Sequence, residues 1–382
     1  MSSCSKCGKC HSFCPLYRYF LDERYAPRGK VHLLEGYRAT GVGNDDFIET
    51  VVWACLQCGA CEHLCPSKTE VAEAIRRERS EMGAPYVLRE ILSRLSHIGK
   101  SSTSISRMLK GLALGSGIVS RLFKVTPWGL PEVPRSSFLE EISAQSPLRG
   151  KGSTLFFVGC CQNYLFPEIP MKAKRLFGDS LFVPPGQTCC GLPAWSSGLT
   201  ELARDLVKKN LDALSQMEDS PILTLCSSCA YMIKNVWPRL FEEGSSLWRR
   251  AVAVSRNLVA MGEFLVKKGQ RNAPNVRGVS LHIPCHERHG GETGGLDLKG
   301  MARELNWAIE ETVDECCGQG GGFASRFSSV SAGIFEEALA RLRRSGPKET
   351  IVVTNCSGCL LQWKMGTRDK DGYKVCHPIE LL

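Results

Sequence analysis

The chain has 382 residues, 43% of them hydrophobic and 23% charged, so two or three domains can each bury a core, and disorder, collagen and coiled coil are excluded. Its 20 cysteines are too many for ordinary use and too dilute for a disulfide-stapled miniature, which points to metal or redox chemistry in a reducing compartment. The formal charge of +9 counts every thiol as neutral, and metal-bound thiolates would lower it, so charge alone argues for neither nucleic acid nor a membrane surface as partner.

Cys4 follows Met1 too closely for a secretory leader. No uncharged apolar run reaches the length of a membrane span, and the longest, Gly111 to Ser120, is closed by Lys110 and Arg121. Cys4, Cys7, Cys10, Cys14 and Pro15 form C-x2-C-x2-C-x3-C-P, and Cys55, Cys58, Cys61, Cys65 and Pro66 repeat it. This is the bacterial-type run for two [4Fe–4S] cubanes. Three cysteines on a tight loop cap one cube, while the fourth points away, so the fourth ligands are exchanged. Cys4, Cys7, Cys10 and Cys65 are expected to hold cluster one, and Cys55, Cys58, Cys61 and Cys14 cluster two. Structural zinc is the competing reading, but it takes four ligands from two C-x2-C pairs, and each run here already has four and a trailing proline.

Between the runs, Pro27 and Gly29 predict a turn followed by an amphipathic helix, with Arg28 and Lys30 either near the cubes, where they would favour the reduced, more negative state, or on a solvated basic turn. From about Pro85 to Gln145 there is no cysteine. There Arg89, Arg94, Lys100, Arg107, Lys110, Arg121, Lys124 and Arg135 interleave with apolar residues at helical spacing, which suits an anionic surface, a partner subunit or packing within the chain. Pro127, Pro131 and Pro134 end the stretch.

Of the remaining twelve cysteines, ten fall into two matching sets. Cys160, Cys189-Cys190-Gly191 and Cys226-x2-Cys229 correspond to Cys285, Cys316-Cys317-Gly318 and Cys356-x2-Cys359 at offsets of 125, 127 and 130 residues, the mark of an internal duplication. Strands are expected at Thr154 to Gly159 and Pro221 to Leu225, and again at Val279 to Ile283 and Thr350 to Thr354, while Leu181 to Pro184 and Asn306 to Val313 are the segments that lead into each Cys-Cys-Gly. Helices are expected at Leu199 to Leu214 and Val330 to Arg344. Alternation of this kind predicts parallel sheets with the cysteines gathered at the carboxyl ends of the strands.

Five thiols per copy, two of them adjacent, suit an open iron–sulfur cluster better than a cubane. Zinc, a Cys189–Cys190 disulfide and free thiols are the alternatives. Gly191 and Gly318 are expected to let the backbone approach the inorganic core. Cys161 and Cys376 have no counterparts and read as packing residues. The second copy also carries His282, His286 and His289 and the run Gly318-Gln319-Gly320-Gly321-Gly322. A histidine there could move protons or be plain structure. The glycine run lacks the residues of a phosphate loop and is expected to wrap the metal centre.

Two C-x2-C-x2-C-x3-C-P runs, Pro27-Arg28-Gly29-Lys30 between them, and two copies of C…CCG…CxxC closely resemble the iron–sulfur subunits with paired cysteine-rich domains. These include the iron–sulfur subunits of glycolate oxidase and D-lactate dehydrogenases, the corresponding subunit of anaerobic glycerol-3-phosphate dehydrogenase, and the catalytic subunit of methanogen heterodisulfide reductase. The resulting expectation is an α/β chain with an N-terminal α-helical dicluster ferredoxin domain (1–84) and a basic helical linker (85–150). Two duplicated α/β CCG domains with parallel sheets follow, at 151–270 and 271–382.

The resemblance implies two cubanes, one or two noncubane clusters at Cys160, Cys189, Cys190, Cys226 and Cys229 and at Cys285, Cys316, Cys317, Cys356 and Cys359, and no flavin or NAD on this chain. It implies an FAD-containing dehydrogenase partner, a quinone-linked membrane subunit or other electron carrier, and no nucleic acid. The implied location is cytoplasmic or peripheral on the inner face of the cell membrane. Heterodisulfide reductases cleave a disulfide at such clusters, which makes Cys316, Cys317 and His286 the candidate catalytic residues. Glycolate-oxidase-like members often lack the cysteine matching Cys356; its presence favours the disulfide-reductase reading.

Overall fold

The computed structural model describes residues 4–41, 45–94, 126–129, 131–132, 134–143, 154–214, 220–268, 276–290, 298–345 and 349–382. Cys14 closes the first loop as the N-cap of α1 (Pro15–Phe20), whose proline sits where a helix needs no amide partner. Helix α2 (Pro27–Thr40) starts on Pro27 in the same way. This corrects the expected turn. Proline's fixed φ suits the first helical position, and Gly29 falls inside the first turn, where any side chain would collide with the Glu23 carbonyl. Helices α3 (Asp45–Trp53), α4 (Ala60–His63) and α5 (Val71–Met82) complete this region around Leu34, Ile48, Val52 and Ile75.

Of the expected basic linker, α6 (Tyr86–Arg94) is helical and carries Arg89 and Arg94. Lys100, Arg107, Lys110, Arg121 and Lys124 lie outside the described residues. Thr126 and Gly129 form an isolated bridge, and α7 (Phe138–Ser143) leads to the duplicated part.

Each copy is a four-stranded parallel sheet. The first has β1 (Thr154–Phe157), β2 (Leu181–Phe182), β3 (Ile222–Thr224) and β4 (Leu258–Val259) in the order β2-β1-β3-β4. The second has β5 (Val279–His282), β6 (Ile309–Val313), β7 (Thr350–Val353) and β8 (Tyr373–Cys376) in the order β6-β5-β7-β8. The strand order is the same in both. Every residue of β1, β3 and β5 is buried, as expected where helices cover both faces of a parallel sheet.

Because these strands run parallel, their carboxyl ends share one rim. Short helices leave that rim: α8 (Cys160–Tyr164), α9 (Leu192–Ser196), α11 (Ser227–Tyr231), α12 (Cys285–His289) and α14 (Ser357–Thr367), with the long α10 (Thr200–Leu214) and α13 (Ser328–Ser345) packed behind them. One apolar core, including Phe156, Phe157, Trp237, Leu281 and Leu360, runs through both copies. No described helix is long and apolar enough to cross a membrane.

Candidate functional site

The two N-terminal runs form two sulfur-lined hollows. Cys4, Cys7, Cys10 and Cys65 line one, with Arg28 at its wall; Cys14, Cys55, Cys58 and Cys61 line the other, with Lys30. Each fourth cysteine therefore stands with the other run's triplet, and both basic residues lie near the thiols. The second hollow, open to solvent on one side, offers about 420 Å³ of empty space. A donor set of four thiols on such loops fits an iron–sulfur cube. The Thr69 amide donates to Cys65 Sγ at 3.4 Å, and Gln57 Nε2 lies 3.7 Å from Cys55 Sγ.

In the first copy, Cys160 leaves β1 as the first residue of α8, and its Sγ is 3.5 Å from that of Cys189. Cys190 touches Cys229, which in turn meets Cys226. Buried side chains hold the Cys-Cys loop by its backbone: Asn210 of α10 accepts from the Thr188 amide at 2.6 Å and donates to the Cys189 carbonyl at 2.9 Å, and the Trp237 indole donates to the Cys190 carbonyl at 2.9 Å. In the second copy the Cys285 and Cys316 sulfurs are 3.8 Å apart and those of Cys317 and Cys359 3.3 Å. Ser331 of α13 holds that loop, donating to the Gly318 carbonyl at 2.9 Å.

Gly191 and Gly318 have φ of +94° and +82°, and a side chain at Gly318 would reach the Ser331 carbonyl at 2.5 Å. Both glycines thus hold a left-handed turn packed on the following helix, and the Gly318 amide donates to Cys316 Sγ at 3.4 Å. The glycine run serves docking: Gly320 makes room for Leu56, from the loop that carries Cys55 and Cys58.

Within each Cys-Cys pair the second thiol is the more acidic, by a matching cause. Hydrogen bonds from Cys189 and Cys229 bring Cys190 down to about 6, and those from Cys316 and Cys359 do the same for Cys317. A thiolate is the ligating form, so both sites hold a ready ligand near neutral pH.

The two sites meet. Cys226 and Cys356 are in side-chain contact, the Ser357 amide donates to Cys226 Sγ at 3.4 Å, and Ser228 Oγ is 3.1 Å from Cys356 Sγ. Ser228 also contacts His286 Nδ1 at 2.9 Å, and the His286 ring stacks on Tyr231 at 4.5 Å. Cys161, read as packing, instead hydrogen-bonds Cys160 and feels the charges of Cys226 and Cys356. Nothing in its spacing signalled this, because the second copy has no equivalent. Cys376, at the end of β8, is buried in the shared core as a packing residue.

His282 lies with Cys317 and Cys359, but its nitrogens face the Thr354 hydroxyl at 3.1 Å and the Glu315 carbonyl at 3.2 Å. Burial pushes its pKa down to about 3, so it is neutral structure beside the thiols. His289 lies beside His63 of the dicluster region, rings 5.6 Å apart.

The dicluster region docks on the second copy. Leu16, Leu56, Cys316, Phe323, Val330 and Ile334 form one apolar cluster, with Cys14, Cys58 and Cys285 packed against it. Burial raises the Cys58 thiol, and the neighbouring Cys285 raises it further. Ion pairs Arg18–Glu337 and Arg326–Glu49 flank the contact.

The sequence profile of the 4Fe-4S dicluster domain matches residues 1–69, and that of the cysteine-rich CCG domain matches residues 154–234 and 279–364. The chain is 25% identical over 400 residues to a probable glycolate oxidase iron-sulfur subunit of Bacillus subtilis, covering 95% of this chain and 88% of that protein. It is 26% identical to one subunit of the fumarate reductase (CoM/CoB) of Methanothermobacter marburgensis, over 100% of this chain and 72% of that protein. It is also 28% identical to lactate utilization protein A 2 of Bacillus cereus, over 59% of this chain and 96% of that protein.

Proposed function

Because the chain belongs to the iron–sulfur proteins that join a dicluster domain to two CCG domains, we propose that it is the electron-transfer subunit of a multisubunit oxidoreductase. In this reading an FAD-containing 2-hydroxy acid dehydrogenase of the glycolate or lactate type supplies electrons, and a quinone or another carrier receives them. Residues 1–84 form the dicluster domain, 85–150 the linker, and 151–270 and 271–382 the two CCG domains. The chain works in the cytoplasm or against the inner face of the cell membrane.

Cys4, Cys7, Cys10 and Cys65 hold one cubane and Cys55, Cys58, Cys61 and Cys14 the other; the five cysteines of each CCG copy hold a noncubane cluster. Bound there, iron–sulfur clusters supply single-electron storage at low reorganisation cost. The protein's part is to keep these sulfurs thiolate, to exclude water around them and to set them in file. The observation that carries the proposal is that file. Cys7 is exposed, Cys58 lies against Cys285 and Cys316, and Cys356 touches Cys226 of the first copy.

The test is reduction of the anaerobically purified chain, followed by loss of its visible absorption. Glycolate or D-lactate alone is expected to leave it oxidised, and addition of a flavoprotein 2-hydroxy acid dehydrogenase to bleach it. Rapid bleaching by the acid alone would refute the subunit reading.

The contact of Cys226 with Cys356, bridged through Ser228 to His286, favours a second reading: reduction of a disulfide between the two copies. Here Cys316 and Cys317 act with His286. With reduced dye as donor, Cys316→Ala and Cys356→Ala are expected to abolish disulfide turnover. Unchanged rates would reject this second reading.

A further inference from the structure

The peptide that leads from α3 to Cys55 is gripped by two buried cations. Arg79 Nη2 donates to the carbonyls of Val52 at 3.1 Å, Trp53 at 3.2 Å and Cys55 at 2.7 Å. Lys30 Nζ donates to the Ala54 carbonyl between them. Their exposures are 4% and 2%, and neither has a carboxylate partner among the described residues. Arg79 Nε has no hydrogen-bond partner among the described residues, and its guanidinium lies over the Trp53 indole at 4.8 Å. Burying a unit charge without a counter-charge is costly, and carbonyl dipoles offset only part of it. The groups these cations face are the sulfurs of Cys14 and Cys55, thiolates once they ligate a cluster: Lys30 acts on Cys14 against burial, and Cys55 draws Arg79 up.

Among the described residues the cluster-one hollow has no such buried pair: Lys9, which also lines it, is exposed. Arg28 at its wall is ion-paired to Glu23 at 2.8 Å and is partly in solvent, where its field is screened. Glu62, beside Cys61, is the opposing charge near cluster two. It is spent on the amides of Ala72 and Glu73 at the start of α5, and Arg76 and Arg239 act on it. Hydrogen bonds onto sulfur occur at both hollows and do not distinguish them.

We propose that Lys30 and Arg79 are positioning residues that make cluster two the more easily reduced of the two cubanes, so that an electron entering at cluster one settles beside Cys285 and Cys316. The inference deepens the relay reading and rests on both hollows holding cubanes. Each step adds one electron to a [4Fe–4S]²⁺ cube to give the 1+ state, with no bond made or broken.

The test is a reductive titration of the reconstituted full chain followed by low-temperature paramagnetic resonance, with Cys10→Ser and Cys58→Ser assigning the two signals. In the parent protein the cluster-two signal is expected first. A unit charge at about 10 Å and an effective dielectric of about 20 predicts that Lys30→Gln lowers the reduction constant of cluster two about tenfold, or 59 mV for one electron, while cluster one stays put. Arg79→Gln is an independent second arm with the same expected direction, and Lys30→Arg restores the parent value. Cluster one reducing first in the parent protein would overturn the inference. So would equal shifts of both signals, or no shift in a variant whose iron content is intact. A parent protein without two cubane signals would instead refute the cluster assignment beneath it.

Discussion

At the scale of single residues, cysteine spacing was legible and neighbourhood was not. C-x2-C-x2-C-x3-C-P and the recurring C…CCG…CxxC announce themselves, because ligands of one cluster must lie close along the chain or at equivalent strand ends. Lys30 could be read as near the cubes or as a solvated turn residue, and Arg79 carries no mark at all; a buried cation looks like any surface lysine or arginine until the helices pack. The contact of Cys161 with Cys160 went unsignalled for a related reason, since duplication flags only residues that recur.

His377 shows what burial adds at this scale. Its Nε2 meets the Leu225 carbonyl at 2.7 Å while Nδ1 accepts from the Ile379 amide at 3.2 Å, an arrangement only the neutral ring satisfies. Burial lowers its pKa from 6.5 to about 4. The unfolded chain therefore binds the proton first, and stability falls as pH drops from 6.5 toward 4. Urea unfolding across that window is expected to show this slope, and His377→Asn, which keeps a capping acceptor but cannot charge, to reduce it. An unchanged slope in the variant would assign the acid sensitivity elsewhere.

At the scale of elements, the four expected strands appear within a few residues of their sequence bounds, because runs such as Thr154–Phe157 are apolar throughout and so belong inside a parallel sheet. The edge strands β4 and β8 were not legible. Leu258–Val259 is two residues long, and Tyr373–Cys376 alternates like an exposed strand. The start of α2 was read as a turn because proline and glycine punctuate turns and helix starts alike.

One contact between elements was invisible in sequence and is open to test. Gly198, at φ +79°, lies against α5, where a side chain would meet the Ser80 amide nitrogen at 2.5 Å. The same junction holds the Arg79 hydrogen bond to the Ser196 carbonyl at 2.7 Å and Arg76 stacked on Trp195 at 3.9 Å. Gly198→Ala is expected to cost about 1–3 kcal/mol from backbone strain and overpacking. Denaturant unfolding measures it, and a loss below about 0.5 kcal/mol, the range of ordinary surface changes, would mean the junction is not tightly packed.

At the scale of the whole molecule, the duplication and the α/β class were legible, since offsets near 125 residues and alternating elements are one-dimensional signals. The order of the parts in space was not. In the chain the dicluster region precedes the first copy; in the fold Cys58 sits against Cys285 of the second, and Cys226 comes to Cys356. That arrangement turns four separate thiol groups into a continuous file.

The file has a purpose only if its members are redox centres. Iron, zinc and acid-labile sulfide counted together on the anaerobically purified chain test this most directly. With four irons in each of four clusters, the account predicts about sixteen irons, a matching sulfide content and no stoichiometric zinc. About eight irons would leave the CCG sites as bare thiols, and zinc without sulfide would contradict the electron relay altogether.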